Sequence, residues 1–350
     1  MSARASDVRK AAACVALAAI FAAATVGFAA GATTQKSGAK KPAPKAAALD
    51  PLAGAEQVQV GEWQHFLDQY VVVTSAPGAP LETRFDYVKL FSNPGRSEEL
   101  AAVHQQLLDA TPSALGRTAR HAWVINLYNF LAIERVMQNF VNHQVPLSMK
   151  AKGFRGYTRR TVNDITIDGV PFYEAPIATI EGTPYSLNAL ERTFAFDGYT
   201  IAAPGKPAGA PPTTLDPRIH FALVGATLGA PSLQPRAFTP ESLDAQLDFA
   251  TRSTLASPAH LRRDAGGRVW GTSMLTWYEA DFGGPEGVTA FVRRYAPDSL
   301  RAALESKSPA VDLFIPWDYR FNVVQKAGLP TYPPTKSGTA GGQEGTPGSP

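Results

Sequence analysis

One segment constrains the fold more than any other. Across residues 115–140 the apolar side chains Trp123, Leu127, Phe130, Ile133 and Met137 recur at spacings of three and four, the period of an α-helix with one buried stripe. The charged and long polar residues Arg117, Arg120, His121, Glu134, Arg135 and Gln138 gather away from the centre of that stripe and predict a solvated face. Asn126 and Asn129 lie on the side away from those charges, so the pattern predicts that both amides are buried. A buried amide left unpaired costs roughly 1–3 kcal/mol, so each needs partners. Either they tie a loop or strand to the helix, or they line a cleft beside Tyr128.

The rest of the 350-residue chain is ordinary enough to exclude several classes. Apolar residues make up 45% and charged residues 18%, which is incompatible with disorder throughout. A formal charge of only +3 argues against a dedicated nucleic-acid binder. A single cysteine, Cys14, excludes a disulfide framework and any cysteine-based zinc site.

The ends read as address and tether. Residues 1–32 resemble a secretory signal: Arg4, Arg9 and Lys10 precede an uncharged, alanine-rich run from Ala11 to Ala30, and Ala30-Gly31-Ala32 offers a small-x-small cleavage site. The sequence therefore predicts an exported protein, periplasmic or secreted; the alternative is an uncleaved membrane anchor, since a run of about 20 residues is long enough to span a bilayer. Cys14 precedes the apolar run, against a lipoprotein reading, and cleavage removes it, leaving no thiol for catalysis or metal binding. Residues 33–49 form a Lys/Ala/Pro linker, 50–328 the folded body, and 329–350 a Pro/Gly/Thr-rich tail read as disordered. Residues 203–214 read as a flexible loop.

Further helices are expected at 98–110, from Thr239-Pro240-Glu241 onward with Leu243, Leu247 and Ala250 buried, at 286–296 and at 299–306. Strands are expected at 165–170, around 220–226, at 268–273 and at 312–321. Helices outnumber strands without regular alternation, which predicts a single helix-rich α+β domain with a small, mainly antiparallel sheet.

Several stretches carry a family likeness. Trp123-Val124-Ile125-Asn126-Leu127-Tyr128-Asn129 resembles the W-x-N-L-Y-N helix of the domain of unknown function 547 family, and Asp216-Pro217-Arg218-Ile219-His220-Phe221-Ala222-Leu223 resembles its D-P-R-I-H-F-A-L segment. Phe85-Asp86-Tyr87, Ser186-Leu187-Asn188-Ala189-Leu190-Glu191, Tyr278-Glu279-Ala280-Asp281-Phe282-Gly283 and Pro316–Asn322 follow in the family's order. The resemblance implies a single domain of unestablished activity. Where that family has two cysteines after the histidine, this chain has Gly225 and Ala230, and where it tends to have histidine after the S-L-x-x-I-E acid, this chain has Arg192. The resemblance thus implies a catalytically degenerate, hydrolase-like member without thiol chemistry.

The candidate chemistry centres on His220. On an alternating strand Arg218 and His220 would share a face, putting a cation beside an imidazole that suits a carboxylate or phosphate, or a proton shuttle. Glu191, Asp281 and Asp318 are the acids expected to meet them. The catalytic candidates are His220, Glu191 and Asp281; the ligand-binding candidates are Asn126, Tyr128, Asn129 and Arg218, facing a small anionic or peptide-like ligand. A bland alternative is a buried histidine and a structural ion-pair network. No G-x-S-x-G, phosphate loop or dinucleotide fingerprint occurs, so no cofactor and no metal are predicted. The Lys linker and a basic loop at 150–160 offer an envelope contact, which keeps an interaction protein and an active hydrolase using His220 with an acid as the rival readings.

Overall fold

The structure, a computed structural model, describes residues 58–142, 161–198, 215–305 and 310–324. All lie in the compact unit Pro51–Pro350; the other unit, Met1–Asp50, lies outside the described residues. The signal (1–32), the linker (33–49), the basic loop (150–160), the loop 203–214 and the tail (329–350) likewise fall outside them.

The described fold is α+β and rich in helix. Helix α1 (Gly61–Tyr70) leads into β1 (Val71–Val73), which pairs antiparallel with β2 (Thr83–Phe85). Short α2 (Tyr87–Ser92) follows, its first turn capped by the Asp86 carboxylate accepting from the Lys89 N–H at 2.8 Å. Then come α3 (Arg96–Leu108) and the long α4 (Arg117–Asn142). Two hairpins follow, β3 (Thr166–Ile167) with β4 (Val170–Pro171) and β5 (Ala178–Ile180) with β6 (Thr183–Tyr185). Their two-residue loops, Asp168-Gly169 and Glu181-Gly182, have positive φ at both positions, matching the twist of tight hairpins. Helix α5 (Leu187–Leu190), capped by the Ser186 hydroxyl, widens into a π-turn over Glu191–Ala195.

The second half holds a 3-10 turn (Pro217–Phe221), α6 (Leu243–Ala256), β7 (Leu261–Arg263) antiparallel to β8 (Val269–Thr272), α7 (Met274–Trp277), a 3-10 turn (Glu279–Phe282), α8 (Gly284–Tyr295), α9 (Asp298–Glu305) and β9 (Leu313–Ile315), parallel to β8. A bridge from Val323 to Phe85 stitches the C-terminal segment to the first half, and one from Phe321 to Thr227 ties it to the chain that follows the Pro217–Phe221 turn. The α6 stripe of Leu243, Leu247 and Ala250 is buried as expected.

Two apolar clusters form the core. The larger surrounds α4, where Trp123, Leu127, Phe130, Ile133 and Met137 are all buried; removing each from water is worth roughly 1.5–3 kcal/mol. The smaller lies under α7, α8 and α9. The Pro217–Phe221 turn runs between them, with Ile219 in the first and Phe221 in the second.

The structure departs from the sequence expectation in two places. The segment around 220–226 is not a strand. Pro217 at the first helical position and the Asp216 cap, which accepts from the Arg218 N–H at 3.0 Å, start a helical turn instead. The polar side of α4 is only partly solvated: His121, Glu134 and Arg135 are buried. The Arg135 guanidinium donates to the carbonyls of Phe172, Ala175 and Pro176 at 2.9, 2.8 and 2.6 Å, so the β4–β5 connection covers that face. At the start of α4, Arg117 and Arg120 hold Asp197 at 2.7 and 2.8 Å, and His121 stands 3.6 Å from the same carboxylate.

Candidate functional site

The two asparagines of α4 decide where the His220 segment sits. Asn129 donates through Nδ2 to the Ala222 carbonyl and accepts through Oδ1 from the Val224 N–H, both at 2.9 Å. Asn126 accepts from the Trp63 indole at 3.1 Å and from the Phe238 N–H at 2.9 Å, and donates to the Phe238 carbonyl at 2.8 Å. Both amides are buried, as their position on the helix predicted, and both are engaged with groups of this chain. Tyr128 is also buried; burial first, then the nearby Glu191, pushes its hydroxyl well above the ordinary value.

Asn129 fixes the chain just past His220, whose ring meets two acids from distant segments. The His220 Nε2 lies 2.9 Å from Asp281 Oδ2, and its Nδ1 lies 3.9 Å from Glu191 Oε1. Asp281 comes from the second 3-10 turn and Glu191 from the first residue of the π-turn, a helix irregularity that often marks functional positions. The Tyr278 ring stacks on the imidazole with centroids 3.8 Å apart, and Phe196 packs at 4.6 Å. The side chains of His220, Glu191 and Asp281 are only 1%, 4% and 1% exposed.

Burial sets the charges. It raises the Glu191 carboxyl from 4.5 to about 8, against the opposing pull of the Tyr278 hydroxyl bond and the Arg192 charge, while Asp281 adds to the rise. It lowers the His220 imidazole, against the Asp281 hydrogen bond. At neutral pH the cluster holds an uncharged Glu191 and a neutral imidazole whose Nε2–H donates to Asp281. The 3.9 Å separation from Glu191 is too long for a hydrogen bond, so no continuous relay is formed. The other Asp281 oxygen, Oδ1, is buried with no hydrogen-bond partner among the described residues.

Arg218 does not share the side of His220, because a 3-10 turn sends alternate residues apart where a strand would align them. Its guanidinium takes Asp216 through two nitrogens (Nε–Oδ1 3.0 Å, Nη2–Oδ2 2.7 Å) and Asp244 at 2.7 Å, with Asp248 at 3.9 Å. These groups border an open groove of about 610 Å³ that Phe282, Phe291 and Arg294 complete. Asp244, Asp248 and Arg294 were not singled out in the sequence. The signal available was the carboxylate pair four residues apart on the polar face of α6.

The positions where the resemblance places thiols are built differently here. Gly225 has φ +55°, and a Cβ added there would lie 3.0 Å from the Tyr173 hydroxyl and 3.6 Å from that of Tyr128. The Tyr173 hydroxyl in turn donates to the Gly225 carbonyl at 2.9 Å. Arg192 is exposed. Among the described residues no group of three or more His, Cys, Asp or Glu side chains is placed to hold a metal ion.

The fold and cluster thus describe a helix-rich α+β domain with a sealed Glu–His–Asp core. Residues 112–254 match the model of a family described as a protein of unknown function, DUF547. That stretch spans α4 to α6 and includes both motifs that carry the resemblance, together with Glu191 and His220. No curated protein and no solved structure matches the chain.

Proposed function

We propose that this chain is an exported ligand-binding domain that performs no thiol chemistry and keeps the Glu191–His220–Asp281 cluster as a scaffold. The observation that carries this reading is the enclosure of His220, 1% exposed, hydrogen-bonded to Asp281 and stacked against Tyr278. A general base must reach the proton it removes directly or through one water, and this ring offers no open approach. The asparagines support the same reading, since their hydrogen bonds hold the protein's own backbone. So does Gly225, where a thiol-bearing side chain would press on Tyr173. The ligand is peptide-like and binds on the Arg218 side; export through residues 1–32 brings it within reach, and the Lys linker contacts the anionic envelope.

The convergence of an imidazole with two carboxylates favours a second reading, a hydrolase in which His220 works with Asp281 or Glu191 after the cluster opens. Hydrolysis of a panel of esters and short peptides separates the two. The binding-domain reading expects no turnover by the wild-type chain and no labelling by a thiol-reactive activity probe once residues 1–32 are removed. Turnover that His220→Ala abolishes in a still-folded chain would replace it with the hydrolase.

A further inference from the structure

We infer that the groove between the Asp216–Arg218 segment, α6 and α8 is a site for a zwitterionic peptide, which presents a cation to Asp244, a carboxylate to Arg294 and an apolar side chain to the aromatic floor. This deepens the binding-domain reading and rests on it. The volume, about 610 Å³, lies within the roughly 300–1,000 Å³ of small-ligand pockets. The floor is apolar: Phe282 and Phe291 meet edge to face with centroids 4.8 Å apart, and Phe291 packs on Tyr295 at 4.7 Å.

The charges on the rim determine the class of ligand. Arg218 is the obvious anion receptor, yet its donors are taken by Asp216 and Asp244, so a free anion gains no bidentate grip there. Asp248 is held by Arg252 at 2.7 Å. Two groups remain available. The Asp244 carboxylate is 89% exposed and gives one oxygen to Arg218. Arg294 is exposed, lies over the Tyr295 ring at 5.2 Å and forms no ion pair among the described residues. One spare carboxylate oxygen and one unpaired guanidinium bordering one groove with aromatic walls match a molecule carrying both signs of charge on an apolar body. Neither a polyamine nor a dicarboxylate satisfies both.

Calorimetric titration of the purified chain with the tripeptide lysyl-leucyl-glutamate, against cadaverine and glutarate, tests this. The tripeptide should bind more tightly than either single-sign probe. Asp244→Asn and Arg294→Gln, both at exposed positions, should each weaken it roughly three- to fivefold, the scale of solvent-accessible ion pairs. Equal binding of cadaverine or glutarate, no tripeptide binding at millimolar concentration, or tripeptide binding unchanged by both substitutions overturns the groove assignment and leaves the binding-domain reading standing. Cleavage of the tripeptide that His220→Ala abolishes overturns that reading and this inference with it.

Discussion

Replacing Glu191 with Gln should make the protein more resistant to alkaline pH. The folded carboxyl titrates at about 8 and its ordinary value is 4.5, so the folded state holds this proton more tightly than the unfolded chain. Stability therefore falls as pH rises from 4.5 to about 8 and is level beyond. The whole effect approaches roughly 5 kcal/mol at about 1.4 kcal/mol per pH unit. Below pH 6.5 the depressed imidazoles of His121, His220 and His260 act in the opposite sense, because the unfolded chain binds their protons more readily. Their contribution levels off above 6.5 and is common to both proteins, so from pH 6.5 to 9 the difference between variant and wild type reports the carboxyl. There wild type should lose roughly 2 kcal/mol through Glu191, while Glu191→Gln, which keeps the uncharged shape, should not. His104, raised by its bond to Glu134, also loses stability above 6.5, but it does so in both proteins and cancels in the difference. Thermal unfolding followed by circular dichroism should show the gap in Tm between variant and wild type widening by roughly 4–8 °C across the window. A gap that stays constant, or narrows, would refute the placement of a protonated Glu191 inside the cluster.

Other substitutions probe the scaffold around it. Arg135→Met leaves the buried Phe172 and Ala175 carbonyls without their donor and should cost about 1–3 kcal/mol in urea unfolding. Asn129→Leu orphans the Ala222 carbonyl and the Val224 N–H and should cost at least about 2 kcal/mol, whereas Gln138→Leu on the exposed side of α4 should stay within about 0.5 kcal/mol by the same measurement. Gly225→Cys should lower stability by about 1–3 kcal/mol, through its left-handed backbone and its pressure on Tyr173, and thiol titration should detect its sulfur only after unfolding.

The sequence disclosed the parts of this molecule that local periodicity controls. Helix α4 and the burial of Asn126 and Asn129 follow from which residues share a helical face. What covers the opposite face does not: Arg135 looked solvated because nothing in its own segment announces the Phe172–Pro176 carbonyls. The His220 segment looked like a strand, on which Arg218 and His220 would share one face. The stronger local signal was Asp216-Pro217, a cap followed by a proline at the first helical position. That misreading also joined Arg218 to His220, which the 3-10 turn separates. Asp281 lies 61 residues from His220, so the sequence supplied the acid as a candidate and only the packing of α7 and α8 supplied the pairing. The groove was illegible for a related reason. Its walls come from three segments whose charges each look like ordinary surface.

The enclosed, neutral imidazole of His220 is the feature on which the functional account stands, and ring nitrogen NMR on histidine-labelled protein measures it directly. His220 should show one neutral ring with its proton on Nε2, persisting below pH 6.5 and slow to exchange with solvent. A His220 ring that titrates near 6.5 and exchanges freely would mean an imidazole open to water and substrate, and would contradict the account.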